Sequence, residues 1–434
     1  MPNPRGRTLL VTHCGQLLTF RGGRRPRAGA EMADVGLIRD GALAIQDGTV
    51  VWVGPTAKAR EWPEARHAAA LDAGGRVVLP GFVDSHTHAL FAGTRLEEYE
   101  ALIGGATYAQ IARAGGGIQA SARQVRRASQ PALAGHLGHV IRQFLEYGTT
   151  TAEVKSGYGL EFSQELKLLR AIRAAGRRAP FDLIPTLLAH AIPGRFRAAR
   201  AQYVRHLIQR FIPAVARAGL AEFFDVFCDS GYFTVTETRA LLQAASHAGF
   251  KLKIHAEQLS QTGAARVAAQ LGAVSMDHLE HLSESDIRAL RTVQESRGSR
   301  TIATLLPGSV LHLGGGAYPR ARALIDAGIP VALATNFNPG SSPTLNMQGI
   351  LSLACSQMRM SPAEAFTAAT INGAYAVSRG SLVGSLEPGK QADLVIMDVR
   401  DYREIPYFFG MNHCATVIKK GRVVYSKGRR EARG

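Results

Sequence analysis

The run DSHTH places His86 and His88 two residues apart at the end of an apolar stretch, GFVDSH. In an extended chain, residues i and i+2 point the same way, so both imidazoles can aim at one divalent cation. Three further apolar runs end in polar groups. KLKIHAE ends with His255, AVSMDHLE with His278 and VALATN with Asn336. Histidines satisfied inside a core do not explain this recurrence, because each sits where a strand gives way to a turn. The chemistry that fits is metal-assisted hydrolysis, in which a cation acidifies water and polarises a carbonyl. Such a site calls for a carboxylate as proton acceptor, yet the last run supplies an amide, Asn336.

Chemistry of this kind needs a scaffold that ends many strands on one face. From about 81 to 380, strand-like runs (GFVDSH, TTTAEVKSG, DLIPTLLAH, AEFFDVFCD, KLKIHAE, AVSMDHLE, TIATLLPG, VALATN) alternate with helical stretches. QPALAGHLGHVIRQFLEYG and TVTETRALLQAASHAGF carry apolar residues at 3–4 spacing, and Thr234 or Thr236 is placed to cap the second. About eight βα units are the count for a (β/α)8 barrel, whose chemistry sits at the C-terminal strand ends. A doubly wound sheet is the alternative, but no GxGxxG follows the first strand. Residues 1–80 and 381–434 read instead as short strands cut by Gly turns, with Asp47-Gly48 turning a hairpin. The expected architecture is a metal-hydrolase barrel over 81–380 and a small discontinuous β-sandwich domain from the two ends.

Bulk properties narrow the function. The 434 residues are 46% hydrophobic and 20% charged, an ordinary globular balance. No apolar run approaches the roughly 20 residues of a membrane span, and no apolar segment of a secretion signal follows MPNPRGR. Cys14, Cys228, Cys355 and Cys414 lack CxxC spacing, which points to a reducing, cytoplasmic setting. The formal charge of +17 is spread along the chain without interleaved aromatics, so it argues for an Arg-rich surface and anionic small molecules, not nucleic acid. The glycines of AGGGI (114–118) suit a loop packing over a site; no P-loop lysine follows them.

PGFVDSHTHALFAGTR, GTTTAEVKSGYGL, KIHAEQLSQTGAA, MDHLEHL and ATNFNPGSSPT together resemble the amidohydrolase superfamily, in the branch that opens an imidazolone ring during histidine degradation. The resemblance spans nearly the whole chain. It implies hydrolysis of a small-molecule substrate, 4-imidazolone-5-propanoate, to N-formimino-L-glutamate at one divalent metal, Zn or Fe. It also implies His86, His88 and His255 as metal ligands, an aspartate where this chain has Asn336, and His278 facing the attacking water. A homodimer is implied by resemblance only.

Within that frame the recognition groups follow. Arg95 offers a planar fork to the propanoate. Tyr158 and Gln258 suit the ring, His190 the ring or the carboxylate, and Asn338, Gly340 and Ser341 the glutamate-like end. Arg95 as an ordinary surface arginine, and Ser341 as a turn residue, are the plain alternatives. Three accounts of the amide at 336 stand open: a substitution made to hold substrate intact, a natural variant that binds without turnover, or transfer of the base role to His278 or Glu257. The intact remainder of the site favours the first. Rival functions are a non-catalytic homologue and another cyclic amidohydrolase or deaminase. Two-metal members carry a bridging lysine near the fourth strand; DLIPTLLAH, taken as that strand, ends in His190 and favours one metal.

Overall fold

The computed structural model describes residues 8–177, 179–298 and 300–428. Strands β1 (Thr8–Leu18), β2 (Leu37–Gln46), β3 (Thr49–Pro55), β4 (Ala69–Asp72) and β5 (Val77–Pro80) come first. Eight more follow: β6 (Phe82–Asp84), β7 (Thr149–Lys155), β8 (Asp182–Ala189), β9 (Phe223–Cys228), β10 (Lys251–Ala256), β11 (Ser275–His278), β12 (Ile302–Leu305) and β13 (Val331–Leu333). The last are β14 (Leu394–Met397), β15 (Cys414–Lys419) and β16 (Arg422–Ser426).

Strands β6 to β13 pair in chain order, all parallel, with helices between them. The first and last meet beyond their formal ends. Asn336 N donates to His86 O at 3.1 Å, and His88 N to Phe337 O at 2.9 Å. The buried Asp84 carboxylate adds a staple, accepting from Thr335 N at 3.0 Å and Thr335 Oγ1 at 2.6 Å. This is the expected (β/α)8 barrel, and its closing seam carries His86, His88 and Asn336. Because residues 85–88 stay extended along that seam, the i, i+2 pair faces inward as the spacing predicts.

The other strands form one eight-stranded mixed sheet in the order β16-β15-β14-β5-β1-β2-β3, with β4 beside β1, so both chain ends share it. Asp47 and Gly48 take φ of 49° and 80° between β2 and β3, the turn that only a residue such as Asp followed by Gly forms readily. The sheet encloses its own core, including Val11, Leu17, Leu43, Val78, Leu394 and Ile418.

The helices form where apolar residues recur at 3–4 spacing. Gln130–Glu146 buries Leu133, Leu137, Val140, Ile141 and Phe144, each worth about 1.5–3 kcal/mol when removed from water. Thr234, not Thr236, caps Val235–His247, in a reciprocal box with Glu237. No described helix is long and apolar enough to cross a membrane. Counting strands corrects one expectation: DLIPTLLA is β8, third in the barrel, and the fourth is FFDVFC, β9. That strand carries Asp225 and no lysine, so the argument against a bridging lysine passes to a different element.

Candidate metal centre and active site

Three imidazoles converge at the mouth of the barrel. Ligand-capable atoms of His86, His88 and His255 all lie within 4.8 Å of one another, and all three residues are buried. The Nε2 atoms of His88 and His255 stand 3.3 Å apart. Two nitrogens each about 2.0–2.1 Å from a tetrahedral ion are separated by about that distance. His86 Nε2 and Asn336 Oδ1 are buried with no hydrogen-bond partner among the described residues. Lone pairs brought together in this way, unsatisfied by protein, fit a divalent cation.

Carboxylates behind two of the imidazoles fix their tautomers. His86 Nδ1 donates to Asp277 at 2.6 Å, and His255 Nδ1 to Asp225 at 3.1 Å. Each bond puts the proton on Nδ1 and leaves the Nε2 lone pair free to bind a cation. Burial holds the His86 and His88 imidazoles well below their ordinary pKa. For His255, burial outweighs Asp225 and brings it to about 4. All three are therefore neutral near pH 7, as ligands must be.

A set of charges that the sequence reading did not single out lies beneath. Lys155 and Lys253 are completely buried with Glu153, Asp225 and Asp277. Lys155 Nζ meets Asp225 at 2.6 Å and Glu153 at 2.7 Å; Lys253 Nζ meets Glu153 at 3.0 Å and Ser85 O at 2.7 Å. Burial opposes the Lys155 charge, but Asp225, Glu153 and Asp277 overcome it and hold the ammonium above its ordinary pKa. Burial likewise pushes Asp225 up, and its contacts with His255 and the Lys155 ammonium more than reverse it. The signal was present in the period-2 spacing: Glu153 with Lys155 on β7, and Lys253 with His255 on β10, share the inward face. His86, Glu153 and Asp277 also bring ligand atoms together, but the two ammonium groups already neutralise that cluster.

The remaining predicted residues sort clearly. A small cavity above the histidines, about 40 Å³, is lined by His88, His255, His278 and Asn336 together with Arg95, Tyr158, His190, Gln258, Asn338 and Ser341. His278 Nδ1 donates to Glu280 at 3.1 Å, which leaves Nε2 for the cavity. His190 stacks on His88 with ring centroids 5.1 Å apart. Tyr158 rides on a turn whose Gly157 and Leu160 amides donate to Glu165 at 2.8 and 2.6 Å. Asn338 Oδ1 accepts from the Gly340 and Ser341 amides, both at 2.8 Å, and so shapes the turn after β13. Gly340 itself supports Arg95 and does not line the cavity. The glycine-rich segment 114–118 delivers Ile118 to the cavity wall, held by Gly117 N donating to Glu98 at 2.9 Å.

Glu257 is a correction. As an alternative base it needed to face the cavity. Its carboxylate instead accepts from Thr262 Oγ1 at 2.9 Å and from the amides of Ala264 and Ala265 at 2.9 and 3.2 Å. A φ of 51° at Glu257 turns the chain just after β10 and directs the side chain to the start of helix Ala264–Gln270. Asn336 also takes a positive φ, 52°, a conformation Asn and Asp tolerate. Its Nδ2 donates to Ser309 Oγ at 2.7 Å, which leaves Oδ1 directed away from any described partner.

A barrel with histidines converging at its strand ends and a sheet made from both ends of the chain define the amidohydrolase class. The model of the amidohydrolase family matches residues 77–424, and the chain belongs to that family. The fold is also that of 5-methylcytosine deaminase from Klebsiella pneumoniae (18% identity, TM-score 0.73, 98% of this chain and 99% of that one). Guanine deaminase from E. coli is similar (18%, TM-score 0.70, 97% and 99%). Imidazolonepropionase of Solibacter usitatus (strain Ellin6076) is 46% identical, over 96% of this chain and 98% of that protein. That of Geobacillus kaustophilus (strain HTA426) is 45% identical, over 98% and 99%. Within the family, the chain is of the imidazolonepropionase type.

Proposed function

We propose that the chain hydrolyses 4-imidazolone-5-propanoate to N-formimino-L-glutamate, using one divalent cation, zinc or iron, and that Asn336 slows the reaction. The observation that carries this reading is the meeting of His86, His88 and His255 with Nδ1 of two of them tied to buried carboxylates. Those three residues would hold the cation, which would supply Lewis acidity to activate water near neutral pH and polarise the ring carbonyl.

The protein's own groups do the rest. Arg95 receives the propanoate carboxylate in its planar fork. Tyr158, His190 and Gln258 bracket the ring, and the turn shaped by Asn338 and Ser341 receives the end that becomes glutamate. His278, oriented by Glu280, directs the attacking water and stabilises negative charge developing on the carbonyl oxygen. A carboxylate at 336 would accept the proton of that water and return it to the departing ring nitrogen. Asn336 offers an oxygen but no basicity near pH 7, so this transfer loses its carrier. Four free cysteines, three of them buried, suit a reducing cytoplasm.

The test is loss of imidazolone absorbance with the metal-loaded chain and with Asn336→Asp, the product identified by mass spectrometry. Turnover by the Asp form, faster than by the Asn form, is expected. No turnover by either overturns the substrate assignment.

A further inference from the structure

A second, larger cavity lies beside the catalytic one. It measures about 620 Å³, and its wall includes Arg113, Arg197, Arg200 and Tyr232. It shares Ile118 and Leu259 with the inner cavity, so those side chains border both. An aromatic path joins them as well. Tyr232 packs on Phe227 with centroids 4.0 Å apart, and Phe227 lies 5.5 Å from the His255 ring.

The charge in this outer space is one-sided. No carboxylate lines it among the described residues. Glu237 is the counter-ion of Arg200, at 2.7 Å. Asp229 is turned inward, accepting from the amides of Gln258 and Leu259 at 3.0 and 2.8 Å. Arg113 and Arg197 are exposed, and the Arg197 guanidinium makes no hydrogen bond or ion pair with any described residue. The inner cavity, at about 40 Å³, has room for about three waters. A small organic anion therefore has space and opposite charge in the outer cavity, next to Ile118 and Leu259.

We propose that this outer cavity is a binding site for small organic carboxylates, a vestibule in which an anionic ligand rests between solvent and the histidines. The carboxylate chemistry stands on Arg113 and Arg197, since Arg200 is paired with Glu237; which carboxylate it is rests on the proposed hydrolase function. Substrate entering and product leaving share this chemistry.

Calorimetric titration of glutarate into the metal-loaded chain tests it. Two classes of site are expected in the unaltered chain. Arg113→Gln with Arg197→Gln, both exposed positions, removes one class; Arg95→Gln removes the other. A double variant that binds glutarate as the unaltered chain does overturns the proposal. Kinetics in the Asn336→Asp background separate the sources. A roughly five-fold loss of kcat/KM with kcat unchanged and a flatter salt dependence assigns the vestibule to incoming substrate. Weaker inhibition by N-formimino-L-glutamate with kcat/KM unchanged assigns it to product, and no change in either overturns the vestibule role. Loss of one glutarate class without any hydrolysis in that background supports the vestibule and sinks the hydrolase reading.

Discussion

The guanidinium of Arg95 lies against the bare Cα of Gly340. A Cβ at 340 would come within 2.1 Å of Arg95 Cζ and Nη2. Arg95 is buried at 6% exposure, with Glu98 3.4 Å from its Nη1. Neither residue explains itself alone: the glycine is there because an arginine must pass over it.

That contact makes Gly340→Ala a probe of carboxylate binding. The methyl group displaces the guanidinium without touching the histidines. KM for the imidazolone substrate should rise at least about ten-fold, the scale of one lost charge-assisted bond, while kcat changes little. Steady-state kinetics in the Asn336→Asp background read this directly. An unchanged KM would mean that Arg95 does not hold the propanoate.

Asn336→Asp should raise turnover by at least about 100-fold, the lower bound for a restored general base. Ser309 accommodates both residues: its hydroxyl accepts from the amide now, at 2.7 Å, and can donate to a carboxylate. The fold should be unaffected, with a matching Tm of the metal-free forms. Equal rates for the two forms would remove the base role from this position.

Asp225→Asn should lower metal affinity about 10–100-fold, the usual effect of losing a histidine's outer hydrogen-bond partner. The amide no longer enforces the Nδ1 proton on His255, and it leaves Lys155 with one fewer carboxylate. Competition with a chelator measures the change. Undiminished affinity would show that the buried carboxylates do not govern the ligand geometry.

Glu257→Gln separates a capping role from a catalytic one. Losing the charged acceptor at the start of helix Ala264–Gln270 should cost about 1–2 kcal/mol of stability. In the Asn336→Asp background kcat should stay within a few-fold. A folded variant with kcat lowered 100-fold would return Glu257 to the chemistry.

The legible part of the site was the part written at strand ends. A histidine or asparagine that stops an apolar run is a local feature, and His86, His88, His255, His278 and Asn336 were found that way. Glu257 misled because nearness to His255 in sequence says nothing about a positive φ that turns the next side chain aside. Lys155 and Lys253 were passed over because a lysine inside a strand ordinarily marks an exposed edge. Their burial depends on carboxylates from β7, β9 and β11, which no single stretch of sequence displays. Strand order is likewise not a local property, so DLIPTLLA reads as the fourth strand in sequence and is the third in the barrel.

A single cation held by imidazoles from β10 and the β6 seam is what the proposed hydrolysis requires most. Elemental analysis of the purified chain after equilibration with zinc, then dialysis, tests this. One bound ion per chain is expected, falling to none in His88→Ala combined with His255→Ala. Two ions per chain, or an ion retained by that double variant, would contradict it.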